Sequence, residues 1–371
     1  MAKICIATFA DTSDNYGQVL QYLATQEYLR LRGHDPYLLI SKGHRLPLHI
    51  RFINKLKKKL FPIKEIILSK DKQRHIDIYR HWDEIAAKME AAHPRNFNNF
   101  RKQNFKILFC FLEDVQKYNF DAYAVGSDQT WGSYDETYFL NWAPKGALRF
   151  AFAPSIAHKQ YTNEEINLLK PIIKQFSFVT VREYNGLEFC RRINYKDAKL
   201  VLDPTFLLSS AIYNNFIPNT KVITKPYLLL YLLGNEIAID VQQIFLFAKS
   251  KEIEVKYVAS QGRDDNFPKV YPEVGEWLGL IKNATFIITN SFHGMAFSVI
   301  YHKSFMVLPI VGIFKGMNVR IETIASLFNL QNRIFRGKLE LIEEPIDWTQ
   351  TDKVIFENKN ILDKLMSQIG L

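Results

Sequence analysis

The chain is poor in cysteine, with three in 371 residues: Cys5, Cys110 and Cys190. Their odd number and wide spacing leave no disulfide framework and no zinc-ligand pattern, so reduced thiols in a cytoplasmic protein are expected. Long apolar runs are also lacking. The best stretches, 227–233 and 305–314, are strand-length or broken by Pro309 and Gly312. Both fall short of the roughly 18–20 residues that span a bilayer. The opening Met-Ala-Lys-Ile-Cys-Ile-Ala has no signal-peptide pattern. No repeat of fixed period, low-complexity linker or carboxylate cluster of the magnesium-binding kind is found, so no metal is expected. Aromatics are not interleaved with the basic residues, which argues against nucleic acid as a partner.

Positive charge is plentiful and unevenly placed. The net charge is +10. Between Lys42 and Arg74 stand eleven Lys or Arg against Glu65 and Asp71, so this window alone carries +9 (11 − 2). Within it, apolar residues at 50, 53, 56 and 60 share one helical face, with lysines elsewhere. A basic amphipathic segment of this kind suits either peripheral contact with an anionic membrane or a solvated helix that covers the core.

Hydrophobic patterning predicts strands at 3–10, 36–40, 120–125, 148–153, 178–181, 199–202, 227–233, 253–259, 285–288 and 304–308. Helical patterns lie between most of them, and a last amphipathic helix is expected at 352–369. Regular alternation of strand and helix implies parallel α/β sheets. Two such sets predict two Rossmann-like domains facing across a cleft. One is expected at 1–175, with a basic insertion at 42–92. The other is expected at 176–371, its last helix packing back on the first domain.

Polar clusters follow four of these strands: 11–17, 126–131, 182–183 and 289–294. Ligands of open α/β sheets bind at the carboxyl ends of strands. The fourth cluster, Thr-Asn-Ser-Phe-His-Gly294, sets His293 near a helix N-terminus, a position that attracts anions. The second, Gly126-Ser-Asp-Gln-Thr-Trp131, offers a carboxylate, an amide and an indole, a combination that can bind a sugar; an Asp cap followed by a core Trp is the equal alternative.

Five blocks, in order and at matching spacing over about residues 4–330, resemble the polysaccharide pyruvyl transferase family. They are Asn15-Tyr-Gly-Gln-Val-Leu-Gln-Tyr-Leu-Ala24, Phe120-Asp-Ala-Tyr-Ala-Val-Gly-Ser-Asp-Gln-Thr-Trp131, Val181-Arg-Glu183, Val201-Leu-Asp-Pro-Thr205 and Ile288-Thr-Asn-Ser-Phe-His-Gly294. The resemblance implies a glycosyltransferase-B-like pair of domains. It also implies transfer of a pyruvyl group from phosphoenolpyruvate to a sugar diol, of galactose type, forming a ketal in a cell-surface polysaccharide precursor. Phosphoenolpyruvate is then the donor substrate and no cofactor is expected. The acceptor is a sugar or a lipid-linked oligosaccharide, and the expected location is cytoplasmic, with peripheral attachment to the inner face of the membrane. Many members resemble Arg-Leu-His-Gly where this chain has Ser291-Phe-His-Gly294, so the donor-contacting arginine is absent, and Asn290 replaces the usual Asp.

The donor's phosphate and carboxylate call for cations, and a guanidinium fork suits both. Arg182 is the first candidate, with Arg320 or Lys315 supplying the charge missing at Ser291. Asn290, Ser291 and His293 complete the donor side. Protonation of the donor methylene needs a general acid, and the sugar hydroxyls need a base. His293 either donates that proton or binds phosphate, and Asp128 serves as base or hydroxyl orienter. Acceptor contacts are expected from Asn15, Tyr16, Gln18, Ser127, Asp128, Gln129 and Trp131. Two rivals stand beside this reading. A nucleotide-sugar-dependent glycosyltransferase would share the fold, although no G-x-G-x-x-G loop is found. A catalytically silent surface-binding protein would act through the basic window.

Overall fold

A computed structural model describes residues 1–45, 70–157, 159–219, 225–260 and 262–371. The apolar stripe at 50–60 and most of the basic window lie outside the described residues. The strands in chain order are β1 (Lys3–Ala7), β2 (Asp35–Ser41), β3 (Ile107–Cys110), β4 (Ala122–Val125), β5 (Leu148–Ala151), β6 (Phe178–Val181), β7 (Lys199–Leu200), β8 (Tyr227–Tyr231), β9 (Glu254–Val258), β10 (Phe286–Thr289) and β11 (Ser304–Val307). They form a seven-stranded sheet in the order β3-β2-β1-β4-β5-β6-β7 and a four-stranded sheet in the order β11-β10-β8-β9. Every pairing between these strands is parallel. With helices between the strands, each sheet is Rossmann-like.

The chain changes sheet between Leu200 and Tyr227, not near residue 175. β6 pairs with β5 through Phe150↔Phe178 and Ala151↔Val179, and β7 then pairs with β6. The expected boundary therefore cuts through the first sheet, because β6 is as apolar as a central strand of either unit and its sequence does not say which sheet it joins. Helix Thr349–Gln368 packs back on the first unit. Asp363 Oδ1 accepts from Tyr28 and from Arg32, each at 2.8 Å, and Asn358 caps the Leu202 amide at 2.9 Å.

In both sheets the direction of strand addition reverses once, and crevices open at such reversals. The first sheet reverses between β1 and β4, and the second between β8 and β10. Helix Tyr16–Leu31 begins at the first reversal and is buried along nearly its whole length. Its buried polar side chains Gln21, Thr25 and Gln26 are hydrogen-bonded, as burial requires, and the helix lies between the sheets. Tyr16 stacks on Trp277 (centroids 5.2 Å apart, planes at 6°) and donates to the Pro272 carbonyl at 2.6 Å. Gly17 allows a close approach: a Cβ built there would overlap the His293 imidazole.

Gly17→Ala should test this joint. In an open helix the change gains about 1 kcal/mol. Here it is expected to destabilise by about 1–3 kcal/mol, the usual range for overpacking. Urea unfolding followed by tryptophan fluorescence checks it, and increased stability would show that the imidazole does not press on the helix.

Candidate active site

A cavity of about 580 Å³ opens across both sheet reversals. Phe9 reaches it from beyond β1, Asp128 and Gln129 from beyond β4, Leu233 and Gly234 from beyond β8, and Asn290 to His293 from beyond β10. Local chemistry explains these placements. Asn15 caps helix Tyr16–Leu31 by accepting from the Gln18 amide at 3.3 Å, and Ser291 caps helix Phe292–Ile300 through the Gly294 amide at 3.3 Å. Two helix N-termini therefore converge on the cavity. Asn290 uses both ends of its amide on the Leu233 backbone, at 2.7 and 2.8 Å, and so ties the end of β10 to the end of β8. Asp128 has a φ of +70°. Non-glycine residues rarely hold this conformation, and strain of this kind gathers at functional sites.

Behind the cavity wall lies a buried ion cluster. Asp203, at the end of the β7 segment, is wholly buried. Its Oδ2 accepts from Arg182 Nη1, lies 2.9 Å from Ser127 Oγ and stands 3.7 Å from His293 Nε2. Its Oδ1 accepts from the Thr205 amide at 3.0 Å and the Thr205 hydroxyl at 2.8 Å. Burial pushes the Asp203 carboxyl up, but the His293 imidazole, the Arg182 guanidinium and the Thr205 amide outweigh it and hold the group well below the usual carboxylate range. Arg182 is also buried, 3.7 Å from Asp128 and 3.8 Å from Glu183. Burial favours its neutral form, but the charges of Asp203, Glu183 and Asp128 prevail and keep it charged. Glu183 accepts from Ser155 Oγ, Ile156 N and Ala157 N at 2.7, 2.7 and 3.1 Å. Its carboxyl is pushed up by burial, against the pull of Arg182.

Arg320 is the one Lys or Arg among the described residues that line the cavity. Burial, then the charge of Arg182, lowers its pKa to about 10, so it remains a cation at neutral pH. Both guanidiniums lie near the Phe292 ring, 4.5 Å (Arg182) and 5.9 Å (Arg320) from its centroid. His293 Nε2, Arg182 Nη2 and Arg320 Nε are buried with no hydrogen-bond partner within the protein. Unpaired buried donors are costly; of these three residues His293 and Arg320 line the cavity, where such donors suit an anionic ligand.

Of the expected site residues, Asn15, Gln18, Asp128, Gln129, Asn290, Ser291, His293 and Arg320 line this one cavity. Five do not. Arg182 and Ser127 sit behind the wall in the ion cluster, where Arg182 orients carboxylates instead of facing a ligand. Tyr16 is wholly buried in the joint between the sheets. Trp131 is a core residue: it stacks on Phe139 at 5.4 Å and donates its indole N–H to the Tyr138 carbonyl at 3.0 Å. Lys315 is exposed and outside the lining. Sequence reasoning missed Asp203 and Glu183 as site members. The signal was present in Asp-Pro-Thr at a strand end, but a carboxylate before proline also reads as a simple cap. Glu183 was masked by its adjacency to Arg182.

The family model of polysaccharide pyruvyl transferases matches residues 15–310. The chain belongs to the polysaccharide pyruvyl transferase family. The matched span covers the first helix, the ion cluster and His293. No curated protein matches the chain. Among solved structures, the S. aureus MnaA–UDP co-structure is similar at a TM-score of 0.53 and 12% identity, covering 100% of this chain and 98% of that one. A putative UDP-N-acetylglucosamine 2-epimerase from Listeria monocytogenes is similar at a TM-score of 0.51 and 9% identity, covering 99% and 96%. At such identities these likenesses establish the fold alone: two Rossmann-like domains in a glycosyltransferase-B-like arrangement. Among the described residues, no helix is long and apolar enough to cross a membrane.

Asp203→Asn should destabilise the protein by about 3–5 kcal/mol at neutral pH, because it leaves the buried Arg182 charge without its closest counter-ion. The folded-state pKa of Asp203 is depressed, so its contribution is complete above the ordinary carboxylate range and is lost as pH falls below that range. The stability gap between wild type and variant should therefore narrow in acid. Urea unfolding at a series of pH values reads it, and a gap that widens in acid would contradict the assignment.

Proposed function

We propose that the chain transfers a pyruvyl group from phosphoenolpyruvate to a sugar diol, giving a pyruvate ketal and inorganic phosphate. The observation that carries this reading is the convergence of His293, Asp128 and Arg320 on one cavity, with the Arg182–Asp203 pair fixed behind them. Family membership supports it. Arg320 and the N-termini of helices Tyr16–Leu31 and Phe292–Ile300 would receive the donor's anionic groups. Arg320 would thereby supply the charge absent at Ser291.

His293 donates a proton to the donor methylene carbon, leaving oxocarbenium character at the adjacent carbon. One sugar hydroxyl attacks that carbon, and Asp128 takes its proton. The carbon–oxygen bond to phosphate breaks. The second hydroxyl then closes the ring on the same carbon. The two protons leaving the diol equal the one gained by the methyl carbon and the one carried off by phosphate. Gln18, Gln129 and Asn15 would orient the acceptor. Phosphoenolpyruvate serves as donor substrate, and the scheme calls for no cofactor.

The acceptor in this reading is a free sugar or a lipid-linked oligosaccharide, and the lipid-linked form goes with peripheral membrane contact through the basic window at Lys42 to Arg74. Charge reversal at Lys57, Lys58 and Lys59 is expected to weaken binding to anionic vesicles in a flotation assay, and unchanged flotation would remove this part.

The direct test is incubation with phosphoenolpyruvate and galactoside acceptors, free or lipid-linked, read by mass spectrometry. The acceptor should gain the mass of pyruvic acid less water. Gain of a sugar mass from an added nucleotide sugar would favour the glycosyltransferase reading instead. His293→Ala should fold normally and lose at least ~10²-fold in turnover, in line with removal of an acid–base group. Near-normal phosphate release by the variant would exclude that role.

A further inference from the structure

The cavity has a second wall, unlike the polar one. Trp82, on helix Lys70–Ala92, faces Phe314 of the short turn Gly312–Met317, with ring centroids 5.2 Å apart and planes at 35°. Both residues line the cavity, beside His81, Asn235 and Glu236. The helix belongs to the insertion between β2 and β3 of the first sheet, yet Trp82 rests on the second unit. Its indole lies against Gly234 and Gly262, which follow β8 and β9 and have φ of +61° and +67°. A Cβ on Gly262 would overlap the ring, and one on Gly234 would come within 3.1 Å of it. Two loops of the second unit thus offer bare backbone to one tryptophan of the first. Trp82 is only half-buried.

The chemistry of this wall differs from that around Arg320. Aromatic faces accept the C–H face of a sugar ring, while a carboxylate and an amide take its hydroxyls. Glu236 also accepts from the Ile313 amide at 3.0 Å, which fixes the carboxylate beside Phe314. The only guanidinium among the described lining residues belongs to the polar wall. A negatively charged group is therefore repelled from the aromatic wall and drawn to the other.

We propose that Trp82 and Phe314 form an acceptor subsite that holds a neutral pyranose by its apolar face, with Glu236 and Asn235 on its hydroxyls. That this ring is the one to be pyruvylated rests on the reading given above. A nucleobase is the other flat ligand such a wall could take. Glu236, held beside Phe314, repels any phosphate bound next to it, and UDP is the probe that tests this rival.

Saturation-transfer NMR on the full chain tests the subsite directly, with a panel of methyl pyranosides and, separately, UDP as probes. Ring C–H protons of at least one pyranoside should be saturated in the wild type. The signal should be lost in Trp82→Ala and kept, weakened, in Trp82→Phe. Gly262→Ala is the decisive variant, since it keeps the tryptophan but fills its seat. It should abolish the signal as Trp82→Ala does, while circular dichroism shows a folded protein. In turnover, Trp82→Ala should raise the acceptor KM roughly tenfold, equivalent to about 1.4 kcal/mol, with kcat and the phosphoenolpyruvate KM unchanged. Absence of binding by every pyranoside, signals indifferent to both Trp82→Ala and Gly262→Ala, or displacement of the sugar by UDP would overturn the proposal. Trp82-dependent sugar binding without ketal formation would uphold the subsite and reject pyruvyl transfer. Ketal formation with an unchanged acceptor KM in Trp82→Ala would do the reverse.

Discussion

A carboxylate buried away from water is costly, and Asp203 is acceptable in the interior only because donors surround it. Arg182, Ser127 and Thr205 bind it directly, and His293 stands 3.7 Å from the same oxygen that Arg182 holds. These groups come from separate places in the chain: the ends of β4, β6, β7 and β10. Removing the central charge would leave the Arg182 guanidinium without its closest counter-ion and the imidazole without its neighbour. The position of His293 is thus coupled to the stability of the first sheet, although His293 itself follows a strand of the second.

The rest of the geometry follows from where the two sheets reverse. Each reversal opens a crevice at the carboxyl ends of its strands, and helix Tyr16–Leu31 brings the two crevices together. The small size of Gly17 sets how closely they meet. Polar groups from both sheets then share one cavity, while apolar packing through Tyr16, Trp277 and Tyr231 holds the joint. The insertion adds the aromatic wall from outside either sheet. A polar wall with a cation and an apolar wall without one suit two substrates of different charge.

Much of this was legible in the sequence. β6 was expected at its observed bounds, and most other strands and helices were expected to within a few residues, because buried parallel strands are short apolar runs with punctuated ends. β3 was missed. It is a four-residue edge strand with Ile107 and Phe109 exposed, too short to stand out from the helical pattern before it. The boundary between units was misplaced because sheet membership is decided by partners far along the chain. Among site residues that line the cavity, all but Gln18 and Arg320, which lie within helices, follow strand ends that the sequence displays. Trp131 and Tyr16 were misassigned because an aromatic beside a polar motif looks the same whether it packs inward or faces a ligand. Trp82 carried no signal at all. Its role depends on two glycines about 150 and 180 residues further along the chain, whose left-handed conformation only the folded structure displays.

The central claim is that this buried cluster serves proton delivery to the methylene carbon of an enol phosphate. It is tested most directly by running the reaction in D2O with phosphoenolpyruvate and a sugar acceptor, then reading the product by proton and deuterium NMR. The account predicts a ketal whose methyl group carries a single deuterium, formed together with one equivalent of phosphate. Phosphate release without a ketal methyl, or a ketal methyl with no deuterium, would contradict it.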